Sequence, residues 1–276
     1  MLPLSDLTID KFLPLSRMRS VSGPAASQYA SAKPFPHVVF DDFFDPQVLD
    51  QVIAEFPRPD QIKWQRFNNE REVKLASATE ASFGPATRLL LYHLNSITFL
   101  EFLSAVTGIP NLIPDPSFDG GGLHQIERGG KLGVHVDFNK HGAFNLDRRL
   151  NVLVYLNKDW NEEYGGHLEL WEPKATTCEK RVAPLFNRMM VFGTTDFTYH
   201  GHPHPLGCPK GTTRKSLALY YFTNGRPANE LSGSSHSTVF LDTPGVVAKS
   251  AARRRLGTLA HELLPPIVFR ALRRGR

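Results

Sequence analysis

The chain has 276 residues, 41% of them hydrophobic, and a formal net charge of +5. That length supports one large domain with a full core, and no apolar run reaches the length of a membrane span. Two cysteines, Cys178 and Cys208, lie far apart without C-x-x-C spacing, which excludes a disulfide framework and a zinc ribbon. The charge is also local. Residues 250–276 hold seven arginines and one glutamate, a net of +6, so the preceding 249 residues carry −1. A nearly neutral body excludes a broad nucleic-acid-binding face, and we expect no nucleic-acid partner. The start, Met1-Leu2-Pro3-Leu4-Ser5-Asp6, lacks the basic residues and apolar stretch of a secretory signal, so the expected location is cytoplasmic.

In chain order, residues 1–33 are rich in Ser, Pro and Ala with no sustained period and read as a flexible leader. Residues 34–246 read as the single domain. It begins with a short strand at Pro36-His37-Val38-Val39-Phe40. Asp45-Pro46 then supplies an N-cap and a proline in the first helical position, and Leu49, Val52, Ile53 and Phe56 recur at helical spacing until Pro57. A second helix is predicted over 87–106, with Gly108 placed to end it.

After Pro110 the pattern becomes short strands separated by turns, over 122–127, 132–137, 149–156, 166–171, 189–192 and 214–222. Strands at this spacing, with helices gathered in the first half, predict an α+β, mainly β fold: a double-sheet jelly roll or barrel buttressed by N-terminal helices. The turn-rich segment 224–247 is expected to close the barrel. The tail, 247–276, sets arginines beside Leu256, Leu259, Leu263, Leu264, Ile267 and Val268. It reads either as a helix docked on the barrel or as a basic amphipathic anchor for an anionic membrane or an acidic partner.

The chemistry centres on His135-Val136-Asp137. On a strand, residues two apart share a face, so His135 and Asp137 can reach one metal ion. A third ligand is offered by His200, His202 or His204, which share a parity. Pro203 and Pro205 make a regular strand improbable around the last two, leaving His200 the best held. Two histidines and one carboxylate on one side of a metal leave the other positions open, as in non-haem iron(II) oxygenases. A dicarboxylate co-substrate in an apolar barrel needs a cation, and the forked guanidinium of Arg214 suits it better than Lys215. Alternation places Arg214, Ser216 and Ala218 on one face, and Arg149, Asn151, Leu153 and Tyr155 on another.

The ordered set His135-Val-Asp137, Tyr155-Leu156-Asn157, Gly165-Gly166-His167-Leu168, Pro184, His200 and Arg214-Lys215-Ser216 resembles the iron(II)/2-oxoglutarate-dependent dioxygenases of the prolyl 4-hydroxylase type, over roughly residues 36–226. The resemblance implies a double-stranded β-helix binding Fe(II), 2-oxoglutarate and O2, with ascorbate as a candidate accessory reductant. It also implies a metal triad of His135, Asp137 and His200. The far carboxylate of 2-oxoglutarate would meet Arg214, Ser216 and the Tyr155 hydroxyl. Where many relatives carry a tyrosine near the co-substrate, this chain has Gln125, whose amide can donate a hydrogen bond instead; His124 then faces the opposite way as a structural histidine. Phe138, Asn139, Arg149 and Trp171 are the candidate substrate residues. The implied reaction hydroxylates a C–H bond of a prolyl residue or free amino acid and releases succinate and CO2. Competing readings are a tailoring oxygenase for a small molecule or glycan, a non-catalytic binding module on the same fold, and a cupin-type zinc or iron site.

Overall fold

The structure, a computed structural model, describes residues 8–243 except 232 and 234; the basic tail lies outside the described residues. Five α-helices precede most of the sheet: α1 (Ile9–Phe12), α2 (Leu15–Ser31), α3 (Pro46–Ala54), α4 (Pro85–Leu94) and α5 (Ile97–Thr107). The strands are β1 (His37–Phe40), β2 (Gln65–Asn68), β3 (Glu72–Ser77), β4 (Ile113–Pro114), β5 (Gly122–Glu127), β6 (Lys131–Val136) and β7 (Asp147–Tyr155). After these come β8 (Leu168–Trp171), β9 (Cys178–Val182), β10 (Arg188–Gly193), β11 (Tyr199–His202), β12 (Thr213–Thr223) and β13 (Val239–Phe240).

Two expectations are corrected. Residues 1–33 are not a flexible leader where the structure describes them. Helix α2 passes through Pro24, buries Met18, Ala25 and Tyr29, and packs on α5. The Gly23-Pro24 pair masks this in sequence, and both residues lie on the exposed side of the helix, opposite the face that packs. The helix predicted over 87–106 is two helices bent by 52°. At the break the Asn95 side-chain amide donates to the Asp115 carbonyl, and the Ser96 hydroxyl donates to that of His93. Helix α3 forms as expected: Asp45 caps it by accepting from the Gln47 N–H, with Pro46 next in line. Gly108 ends α5 in the left-handed region, at φ 71°.

The strands form one curled antiparallel sheet in the order β1-β10-β7-β12-β5-β3-β6-β11-β8-β9, with β13 added beside β6, β2 beside β3 and β4 beside β12. Its curl makes the double-stranded β-helix. On the outer face Leu150, Val152 and Val154 of β7 and Leu217, Leu219 and Tyr221 of β12 join the helices' Leu49, Leu90, Phe99 and Phe102 in the main core. The alternate residues therefore face inward, which gives the chain a lined cavity on the concave side. Strand β3, absent from the sequence reading, pairs with both β5 and β6 and closes the gap between them. Within the turn-rich segment, β13 pairs Phe240 with His135 and lays chain across the metal-side wall.

Candidate metal centre and co-substrate pocket

His135 and His200 face each other across the β6/β11 ladder as register partners, so the sheet places them side by side. Asp137 follows on the same face of the chain. The ligating atoms of His135, Asp137 and His200 all lie within 4.8 Å of one another, with His135 Nε2 3.5 Å from Asp137 Oδ1 and His200 Nε2 3.4 Å from Oδ2. Each imidazole has its Nδ1 at a backbone carbonyl, Gly133 at 2.8 Å and Thr198 at 3.1 Å. Those bonds fix the proton on Nδ1 and leave both Nε2 lone pairs aimed at the shared point, the tautomer a metal requires. The donor set therefore fits a divalent metal with open positions, and iron(II) suits it. The rings are wedged by Phe240 against His135 and Phe192 against His200.

Asp137 is held from the outside. Arg148 Nη2 lies 3.1 Å from its Oδ2, and the Asn151 amide donates to the same oxygen at 2.8 Å. Burial works against ionisation here, yet Arg148, then His200 and His135, hold this carboxyl well below the usual carboxylate range. Burial pushes His200 down to about 4, against the pull of Asp137, which keeps it neutral and ready to ligate. Arg148 itself is 1% exposed, gripped between the Phe138 and Tyr220 rings at 4.3 and 3.5 Å and bonded through Nε and Nη2 to Asn151 Oδ1.

A cavity of about 290 Å³ opens from this triad along the barrel. Arg214 and Ser216 line it, while Lys215 faces a separate groove beside Phe56, as strand alternation requires. Arg214 donates through Nε to the Gly166 carbonyl at 2.7 Å, and its Nη2 is 3.4 Å from the fully buried Tyr155 hydroxyl. That fixes the fork near the far end of the cavity, an arrangement suited to a carboxylate.

Five of the sequence candidates are not among the residues that line the cavity. Tyr155 is packed behind Arg214 in an apolar cluster and meets the guanidinium only through its hydroxyl. Gln125 points away from the cavity: its amide donates to the Pro57 carbonyl and accepts from the Thr213 hydroxyl. His124 takes the inward place, so the parity assigned to this strand is reversed. Burial, then Lys74, pushes His124 down to about 3. Arg149 faces outward to Thr223 and Glu230 because β7 carries an extra residue there: Tyr221 pairs with Leu150, and Phe222 with Arg148. The bulge resets the alternation and turns Arg148 inward beside Asn151. Asn139 is bonded to Asp196 and to the His236 N–H, and the Trp171 indole donates to Glu169; neither lines the cavity. Of the four substrate candidates only Phe138 does.

Residues the sequence reading missed are Arg148, Glu72, Lys74, Tyr220 and Phe240. Glu72 and Lys74 come from β3, line the cavity, and pair with each other at 3.2 Å. The alternation of Glu72, Lys74, Ala76 and Ala78 with Val73, Leu75 and Ser77 is the signal that could have found them.

Residues 121–222 match the family model described as 2OG-Fe(II) oxygenase superfamily. Among solved structures the chain is similar to a prolyl hydroxylase from Trichoplax adhaerens, solved in complex with a hypoxia inducible factor oxygen degradation domain peptide fragment. That pair shares 17% identity over 76% of this chain and 92% of the other, with a TM-score of 0.53. A Pseudomonas putida prolyl-4-hydroxylase gives 16% identity, 74% and 100% coverage and a TM-score of 0.52. A non-heme alpha ketoglutarate dependent epimerase from nogalamycin biosynthesis gives 13% identity, 74% and 84% coverage and a TM-score of 0.50. At these identities the likeness is one of fold. The stretch that matches the family model, residues 121–222, is the one that carries His135, Asp137 and His200, so this part of the chain is an enzyme's 2OG-Fe(II) oxygenase region with a candidate histidine–aspartate–histidine iron site. The family match and the donor triad together imply iron(II) as the metal and 2-oxoglutarate as the co-substrate.

Proposed function

We propose that this enzyme hydroxylates a C–H bond of a prolyl residue or a free amino acid. The observation that carries the reading is the lined cavity itself. It runs from the metal donors to Arg214, and its volume leaves room beyond a five-carbon diacid for one ring-sized group. Phe138, Tyr220 and Phe240 contribute apolar surface to its lining, which suits a pyrrolidine ring. Bound iron(II) and 2-oxoglutarate supply the oxidising chemistry: O2 is consumed, 2-oxoglutarate leaves as succinate and CO2, and one oxygen atom ends on the substrate carbon. The protein's own part is to hold His135, Asp137 and His200 in their ligating states, to anchor the co-substrate's far carboxylate at Arg214 and Ser216 with Tyr155 bracing the guanidinium from behind, and to keep bulk water from the apolar wall.

A second reading, a tailoring oxygenase for a charged small molecule, is favoured by one feature. The Glu72–Lys74 pair lines the cavity, and an uncharged peptide segment has no use for it. The complete donor set and co-substrate anchor weigh against a binding module without turnover. Mass spectrometry on prolyl peptides, free amino acids and charged small molecules, incubated with iron(II), 2-oxoglutarate and O2, tests both. A gain of one oxygen on a prolyl peptide or amino acid is expected, and succinate formation stimulated only by other small molecules would overturn the first reading.

A further inference from the structure

His202 stands two residues beyond the metal ligand His200 on β11, and nothing so far gives it a task. Gly201 between them lets β11 press onto β6: a side chain there would meet the Gly133 and Leu132 carbonyls at 2.7 and 2.8 Å. The ladder shifts register at that point and sets His202 opposite Leu132, with its ring in the same cavity as Arg214. It is 3% exposed, and neither ring nitrogen has a hydrogen-bond partner. Among the described residues, five buried side-chain polar atoms lack partners, and of these only the two of His202 and Nη1 of Arg148 belong to residues lining the cavity.

A buried polar atom without a partner is costly, so a ring kept in this condition implies a ligand that supplies one. The surroundings define its charge. Arg214 and Lys74 also line the cavity; the carboxylates lining it besides Asp137 are Asp119 and Glu72, and Glu72 is paired with Lys74. A cavity with an anchored guanidinium and an unpartnered imidazole calls for an anionic ligand with several acceptor oxygens. We propose that His202 is a co-substrate-binding residue, donating a hydrogen bond to an oxygen of 2-oxoglutarate as that dicarboxylate runs from the metal to Arg214. This rests on the co-substrate being 2-oxoglutarate, and it adds a contact that Arg214, Ser216 and Tyr155 do not provide. His202 also borders a second, smaller space beside Gly165, Gly166 and Glu169, which leaves its other nitrogen free of the co-substrate.

The test is calorimetric binding of 2-oxoglutarate to the full chain loaded with Mn(II), with Mn(II) affinity measured separately. His202→Phe keeps an aromatic ring and removes both nitrogens; His202→Gln restores a donor. We expect His202→Phe to weaken 2-oxoglutarate binding by about tenfold or more, with Mn(II) affinity nearly unchanged, and His202→Gln to recover most of the loss. A His202→Phe variant that binds 2-oxoglutarate within about twofold of wild type overturns the proposal, as does equal impairment in both variants, which would mark a packing role. Should His202→Phe fail to fold, the imidazole nitrogen resonances of His202 in the wild-type Zn(II)-loaded protein, assigned by their absence in His202→Gln, decide: a shift on adding 2-oxoglutarate supports the contact and none refutes it. Wild-type protein that binds Mn(II) but no 2-oxoglutarate would instead remove the co-substrate assignment itself.

Discussion

Replacing Arg148 with methionine separates the electrostatic support of the metal ligand from the metal itself. The side chain is buried, and its guanidinium is the cation beside Asp137 in the metal-free protein. Methionine keeps much of the length and the contact with Phe138 and Tyr220 but leaves a buried carboxylate without its cation and Asn151 Oδ1 without its donors. Breaking a buried pair from one side costs roughly 3–5 kcal/mol. For a chain of this size each kcal/mol moves the melting temperature by about 2–4 °C, so the metal-free variant is expected to melt about 10 °C below wild type. A bound divalent cation gives Asp137 a new counter-charge, and a ligand that binds only the folded state adds about 4 kcal/mol at a thousandfold excess over Kd. Thermal melts followed by circular dichroism, with and without saturating Mn(II), are the assay. The expected result is a large deficit that shrinks when metal is added. A variant that melts within about 2 °C of metal-free wild type, or a deficit that Mn(II) leaves unchanged, would refute the reasoning.

Arg214→Ala is expected to weaken 2-oxoglutarate binding by an amount corresponding to roughly 2–5 kcal/mol, because it removes a desolvated charge-assisted anchor, while Lys215→Ala leaves calorimetric affinity close to wild type. The reverse order would mean the β12 register is wrong. Gly166→Ala should also weaken co-substrate binding in a folded protein: the residue has φ 73°, and its new Cβ would meet Leu206 at 2.6 Å and Arg214 Cδ at 3.0 Å, pushing the guanidinium from its seat. Unchanged affinity in that variant would show that Arg214 is not held where the structure places it. In the metal-free protein His200 sits at about 4 and His124 at about 3, both below the ordinary histidine value. The unfolded chain therefore takes up protons first on acidification, and stability is expected to fall as pH drops from about 6.5 toward 4, with little change from these groups above that window. A melting temperature that stays level across the window would contradict neutral burial of these rings.

Local pattern carried the reading where it was regular. His135 and Asp137 share a face by alternation, Arg214 is preferred to Lys215 by the chemistry of its fork as well, and His200 rests on the prolines only in part, since the strand runs on through His202 and the family pattern completes the choice. The reading broke where one residue of irregular backbone resets the phase. Arg149 was chosen over Arg148 because counting back from Tyr155 assumes an unbroken period, and the bulge opposite Tyr221 and Phe222 lies inside that count. Gln125 and His124 lie on a strand separated from His135 by the turn at Gly129-Gly130, and a turn does not preserve strand parity, so the sequence does not tell which of the two faces inward. Strand β3 escaped because its inward face carries Glu72 and Lys74, so a search for apolar alternation passes over it. Helix α2 is hidden by composition: Ser and Ala are its commonest residues, Gly23-Pro24 interrupts the pattern, and much of its burial is decided by α5, some seventy residues further on.

The way β1 and β3 are paired has a consequence for how the chain can assemble. Strand β1 at 37–40 finds its partner in β10 at 188–193, and β3 at 72–77 finds its partners in β5 and β6, some fifty residues later. During synthesis the first hundred or so residues can form helices but no closed sheet; only the β2–β3 hairpin pairs locally. Their sheet edges and the apolar flank of α4 and α5 must wait for strands made later. Such long-range pairing slows folding and leaves sticky edges exposed in the interval. Residues 121–222 expressed alone would lack β3 and with it one wall of the cavity, so an excised fragment is expected to aggregate, whereas a chain that keeps the N-terminal residues can close.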